Sequence, residues 1–107
     1  MSLDIDLVVP KLVAVASFNI THNLTTMADE AGLYEFLWKP ETLGITKAEQ
    51  LIVPLTEGLN KLKADPDKYK KLNPDNGWGT YEGLVAFVEQ YLDSCKTHPD
   101  AGINISR

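Results

Sequence analysis

Leu3, Ile5 and Leu7 alternate with Asp4 and Asp6 at the start of the chain, and this two-residue period constrains everything built around it. Successive side chains of a strand point to opposite faces, so the pattern predicts a strand with one apolar face and one acidic face. Such a strand needs a neighbour in the ladder and a layer of structure beneath it. Both needs have sequence candidates. Leu12 to Ile20, the later part of a first segment rich in Val, Ile and Leu, reads as a second and more fully buried strand. Ala101 to Ser106 alternates Ile103 and Ile105 with polar residues and reads as an edge strand pairing with the N-terminal segment. Pro10 cannot donate to a ladder, so it ends the first strand or marks a bulge. One bent strand and two separate strands both satisfy this pattern.

The layer beneath is helical. Thr21 or Asn23 offers an N-cap to a helix carrying Leu24, Met27, Ala28 and Ala31, with Gly32 as its left-handed C′ residue. Leu33 to Trp38 reads as a further short turn closed by Pro40. Thr46-Lys47-Ala48-Glu49 matches a capping box, in which Thr46 caps and Glu49 reaches back. The stripe Ala48, Leu51, Ile52, Leu55, Leu59, Leu62 follows it, and Pro54 inside that stripe predicts a kink. Asp65-Pro66 is an N-cap followed by Pro at N1, starting a short helix through Leu72. Thr80 opens the last helix, whose stripe is Tyr81, Leu84, Val85, Val88, Tyr91, Leu92 and Cys95, ended by His98-Pro99. The expected fold is α+β: one domain over residues 1–107, with three to four helices packed on a small sheet formed by the N- and C-terminal segments.

Composition narrows the function classes. The 107 residues carry 15 Asp+Glu against 10 Lys+Arg, a formal net charge of -5. An acidic balance does not supply the basic footprint of a nucleic-acid binder, so no nucleic-acid partner is expected. Apolar runs fall short of the roughly 18 residues of a membrane span, and Met1-Ser2-Leu3-Asp4 lacks the basic start of a signal peptide. The single cysteine, Cys95, excludes an internal disulfide, and a cytosolic setting is expected. The three N-x-S/T sequons, at Asn19, Asn23 and Asn104, matter only in a secretory pathway.

Two segments concentrate polar groups at helix starts. Asn19, Thr21, His22 and Asn23 lie at a strand-to-helix junction, where free N–H groups suit an anionic or carboxylate ligand. Capping by Thr21 and Asn23 accounts for most of the same side chains. His22 as a general base would need an orienting carboxylate and a nucleophile, and neither stands at a recognisable spacing. Gly77-Trp78-Gly79-Thr80-Tyr81-Glu82 allows close backbone approach, with Trp78, Tyr81 and Glu82 as pocket-wall candidates. It has neither a P-loop ending nor a dinucleotide fingerprint, so no cofactor is expected. The alternative is a turn anchored by a buried Trp78. Cys95 and His98 alone fall short of the four ligands of a structural zinc site, so no metal is expected. Lys61, Lys63, Lys68, Lys70 and Lys71, interrupted by Asp65 and Asp67, read as a solvated face.

Asn19-Ile20-Thr21-His22-Asn23 and Asn76-Gly77-Trp78-Gly79-Thr80-Tyr81-Glu82 together resemble a group of small uncharacterised bacterial and bacteriophage proteins. That group shares an N-x-T-x-N segment and an N-G-W-G-x-Y-E segment. Ile20 departs from the aromatic that such proteins carry at that position. The resemblance implies provenance and no activity.

Small size, acidic charge and the lack of a catalytic constellation point to a non-enzymatic protein-interaction module, with a basic protein as the electrostatically favoured partner. The alternative is a small-ligand or enzymatic site where Asn19, Thr21, His22 and Asn23 meet Trp78, Tyr81 and Glu82. A homodimer joined through an exposed strand edge is a third reading.

Overall fold

The computed structural model describes residues 2–9 and 13–107. Pro10, on which a strand end or bulge was expected, lies outside them. The alternating segment forms β1 (Ser2–Val9), and β2 (Val13–Thr21) pairs with it antiparallel, which makes these two strands and not one bent strand. β3 (Gly102–Ser106) pairs antiparallel with the other side of β1, so the order is β2-β1-β3 with β1 in the centre. Leu3, Ile5 and Leu7 are completely buried, each stabilising the fold by about 1.5–3 kcal/mol relative to exposure. The α+β expectation is met: a sheet made from the two ends of the chain, covered on one face by helices.

β2 corrects the expectation of a more buried second strand. It is a sheet edge, and Ala14, Val15, Ser17 and Asn19 are exposed while Ile20 is buried. The register shifts between Leu7 and Val8, which face Ala16 and Ala14, leaving Val15 as the extra residue of a bulge. Ile20 stands opposite Leu3 on the core side of the ladder. The position at which an aromatic was expected therefore belongs to the core in this chain.

After β2 the chain makes a 3-10 turn (His22–Leu24) and α1 (Thr25–Glu30), which ends at Gly32 with φ 73°. A side chain there would strain the left-handed backbone. α2 (Tyr34–Trp38) follows, and Pro40 begins a second 3-10 turn (Pro40–Leu43). The expected capping box is only half formed, and by a different residue. Gln50 Oε1, not Glu49, accepts from the N–H groups of Thr46 (2.8 Å) and Lys47 (3.0 Å). Residues Ala48–Leu51 are a third 3-10 turn, and α3 (Ile52–Ala64) starts beyond them. Pro54 thus falls in the first turn of α3, where its missing N–H costs no α-helical bond. The kink expected at Pro54 rested on a lost mid-helix bond, and the start of α3 at Ile52 corrects that expectation.

α4 (Pro66–Lys70) has Asp65 as its N-cap, accepting from the Lys68 N–H at 3.4 Å. It ends two residues earlier than the sequence suggests. α5 (Tyr81–Thr97) is capped by Thr80, whose Oγ1 accepts from the Gly83 N–H at 3.0 Å. Its buried stripe includes Phe87 in addition to the expected residues, while Val85 is only half-buried. Phe87 is there because β2 lies over this helix: Phe18 meets the Phe87 ring edge-on at 6.2 Å and the Tyr91 ring at 5.3 Å. Among the described residues no helix is long and apolar enough to cross a membrane.

α3 carries Gly58 on its buried face, against Leu33 just before α2. A Cβ at that position would overlap the Leu33 side chain, which is itself fully buried. Gly58→Ala therefore sets a helix-propensity gain of about 1 kcal/mol against an overpacking cost of about 1–3 kcal/mol. We expect net destabilisation of about 1–2 kcal/mol by urea unfolding; a more stable variant would show that Leu33 yields.

Candidate functional site

The two polar segments touch. Gly79, with φ 107°, sits against Thr21 and Leu24 so closely that a Cβ on it would lie 2.8 Å from Thr21 Cγ2 and 2.9 Å from Leu24 Cγ. The loop from 73 to 80 is thereby pressed onto the end of β2. It is held at several other points: the Trp78 N–H donates to Asn76 Oδ1 (2.9 Å), the Tyr81 N–H to Asn73 Oδ1 (2.8 Å), and the Gly77 N–H to the Pro74 carbonyl (3.2 Å). From this pinned loop Trp78 projects with 67% of its surface exposed. The reading of a buried, anchoring Trp78 is overturned; Gly79 and Tyr81 anchor the loop instead.

The seven candidate residues divide among several tasks. The Asn19 amide donates to Asp4 Oδ1 (2.6 Å) and Ser2 Oγ (3.0 Å) across the ladder. Thr21 Oγ1 accepts from the Asn23 N–H (3.3 Å) and Nδ2 (3.1 Å), which is the capping geometry. His22 turns toward Trp38, ring centres 6.2 Å apart and tilted by 62°. His22 Nε2 and Trp38 Nε1 are buried, and neither has a hydrogen-bond partner among the described residues. The Tyr81 hydroxyl donates to the Leu62 carbonyl at 2.6 Å, and its ring stacks on Tyr69. Burial, followed by the Glu82 and Tyr69 side chains, raises the Tyr81 phenol above its ordinary range. Glu82 is exposed in the first turn of α5, where a carboxylate complements the helix dipole. Thr21 and Asn23 therefore lie where Gly79 brings the 73–80 loop onto β2, while Tyr81 and His22 point their polar atoms elsewhere.

The lysines from 61 to 71 are exposed as expected, but two of them also cover aromatic faces. Lys68 Nζ lies 5.3 Å from the Tyr69 ring centre and Lys70 Nζ 5.8 Å from that of Tyr81. Cys95 is buried, and burial pushes its thiol up to about 12, so it is neutral at physiological pH and a poor nucleophile. No group of three or more His, Cys, Asp or Glu is placed to hold a metal ion among the described residues.

Residues that sequence reading passed over form the other surface features. Tyr34 stacks on Trp38 at 5.6 Å, Lys39 Nζ approaches the same tyrosine at 5.9 Å, and Tyr34 joins Thr25, Thr26 and Asp29 around a shallow concavity of about 300 Å3. A second concavity, about 450 Å3, lies over the uncovered sheet face between Asp6, Val8, Ala14, Gly102 and Asn104. At the far end of β3, Arg107 donates to the Trp38 carbonyl at 2.7 Å, capping α2, and also to Glu41. Helical spacing carries no signal for either pairing, because their partners lie far apart in sequence.

No family model, no curated protein and no solved structure matches the chain.

The Arg107 hydrogen bond, and then the backbone N–H of Glu41 itself, hold the Glu41 carboxyl below its ordinary 4.5. A carboxyl lowered in the folded state adds stability above its unfolded pKa, and that contribution is lost as pH falls through the folded value. We expect Arg107→Ala to raise the Glu41 midpoint toward its ordinary 4.5 and to flatten this part of the acid-side stability profile. Carbon-detected NMR titration reads both; a wild-type midpoint at or above 4.5 contradicts the pairing.

Proposed function

We propose that this chain is a non-enzymatic protein-interaction module that uses Trp78 as its anchor. The observation that carries the reading is the 67% exposure of Trp78 on a loop fixed by Gly79, Asn73 and Asn76. Binding energy in protein interfaces concentrates on a few aromatic or arginine anchors, and an anchor held rigidly before binding loses little entropy on docking. The loop abuts Thr21, which stands opposite Ser2 at the corner of the uncovered sheet face, next to the Asp4–Asn19 pair. That face bears Asp4 and Asp6 on its central strand, and β1, β2 and β3 contain no other charged residue. An apolar pocket with a basic surround complements this combination, so a basic protein is the favoured class of partner. The free, buried Cys95 fits a reducing, cytosolic setting. The two segments in contact are also those that carry the resemblance to small bacterial and phage proteins, and kinship with that group belongs to the same proposal.

A second reading rests on the contact between Gly79 and Thr21: a small ligand held between Thr21, Asn23 and Trp78. Ligands that bind only the native state raise its melting midpoint, so thermal-shift screening against metabolites and nucleotides separates the two readings.

Affinity capture with the tagged chain at several salt concentrations tests the leading proposal. A partner retained by wild type should be lost with Trp78→Ala, by tenfold or more if the anchor supplies at least about 1.4 kcal/mol. The variant should melt as wild type does, since Trp78 is an exposed side chain. Equal retention by both proteins would remove Trp78 from the interface.

A further inference from the structure

We propose that two copies of this chain pair antiparallel along β2, about a two-fold axis, joining two three-stranded sheets into one continuous sheet. The argument comes from the unequal treatment of the two sheet edges. An edge strand presents unpaired N–H and C=O groups, and proteins blunt such edges with charges, prolines, bulges or a covering loop.

The β3 edge has several of these devices. Lys47 makes an antiparallel bridge to Gly102, and Pro40, Glu41, Ile45 and Arg107 flank Ile103 and Ile105. Arg107 ties that edge to α2 through the Trp38 carbonyl. β2 has almost none. Its nine residues, Val13–Thr21, include no charged side chain and no proline. Among the described residues no backbone hydrogen bond or bridge reaches it from outside the sheet. Its one device is the bulge at Val15, beyond which Ala16–Thr21 run in regular register against β1.

A second copy is the occupant that fits. An antiparallel strand is its own complement, so one edge can serve both partners, and a two-fold contact closes at the dimer without leaving the same edge free. Charge points the same way. Each chain carries a net -5 and repels its copy wherever acidic surfaces meet, whereas β2 lets backbones approach without opposing like charges. Val15, 36% exposed, and the half-buried Phe18 supply an apolar margin along the edge from each copy.

Size-exclusion chromatography with light scattering across a dilution series tests this. Wild type should elute at twice the single-chain mass of 11.9 kDa. Val15→Lys with Ser17→Lys should give the single-chain mass. Asn104→Lys with Ser106→Lys adds the same charge to β3, where these residues face Asp6 and Asp4, and should leave the mass doubled. A wild-type monomer at every concentration overturns the proposal. So does a doubled mass for the β2 variant, or loss of the dimer in both variants. If the β2 variant does not fold, hydrogen exchange on wild type decides. Protection of amides in Ala16–Ile20 should fall on dilution while that of β1 holds; concentration-independent protection overturns the pairing.

Discussion

Leu3, Ile5 and Leu7 form the row on which both layers of this protein meet. They lie on the central strand and are fully buried, and β2 and β3 both take their register from that strand. The helices pack on the face of the sheet that this row lines. Phe18 on β2 and Ile105 on β3 flank Ile5 on the core side, and Phe87 and Tyr91 of α5 close over Phe18. Three such residues contribute an amount comparable with the net stability of a small domain, about 5–15 kcal/mol. Exposing this row by removing either layer would leave little to hold the other.

Much of this was legible because local chemistry and tertiary context agree. The alternation at both chain ends produced the strands, and Thr80, Asp65-Pro66 and Gly32 acted as caps in the way their side chains or conformational freedom allow. The misreadings arose where one pattern serves two environments. An uncharged run of Val, Ala and Ile suits a central strand and an unguarded edge equally well, so the sequence of β2 could not reveal its exposure. Glu49 and Gln50 both lie within reach of a capping position, and the 3-10 geometry of Ala48–Leu51 rotates Gln50 into place. Tyr81 lies inward as its place on the α5 stripe predicts, its hydroxyl donating to the Leu62 carbonyl, whereas Trp78, read as the buried anchor of the turn, stays out. Phe87 stands at helical spacing from Leu84 and Tyr91, so its place on the stripe was legible and passed over. Gly58 faces Leu33, a partner remote in sequence that periodicity cannot register.

The distribution of polarity gives the two faces of the sheet different characters. Helices occupy one side of the sheet, and the other carries amide and hydroxyl side chains around two carboxylates. An antiparallel sheet can leave such a face in water without cost, so polarity alone marks no interface. The contact between Gly79 and Thr21 gives that corner its distinction, because it presses the loop that carries the exposed Trp78 onto the end of β2.

The central strand comes first in the chain and its second partner comes last. Ile5 therefore meets Ile105 only after all the helical segments between them have been made. Until then β1 can form at most a hairpin with β2, a structure that is marginal alone in water. Closing the sheet requires a long loop whose entropy must be lost before the ladder returns anything, which places the sheet among slow, non-local folding events. The helical segments between, linked mostly by local contacts, are free to organise earlier. In a nascent or partly unfolded chain, the neutral β2 segment would thus be exposed for longer than the helices that later cover it.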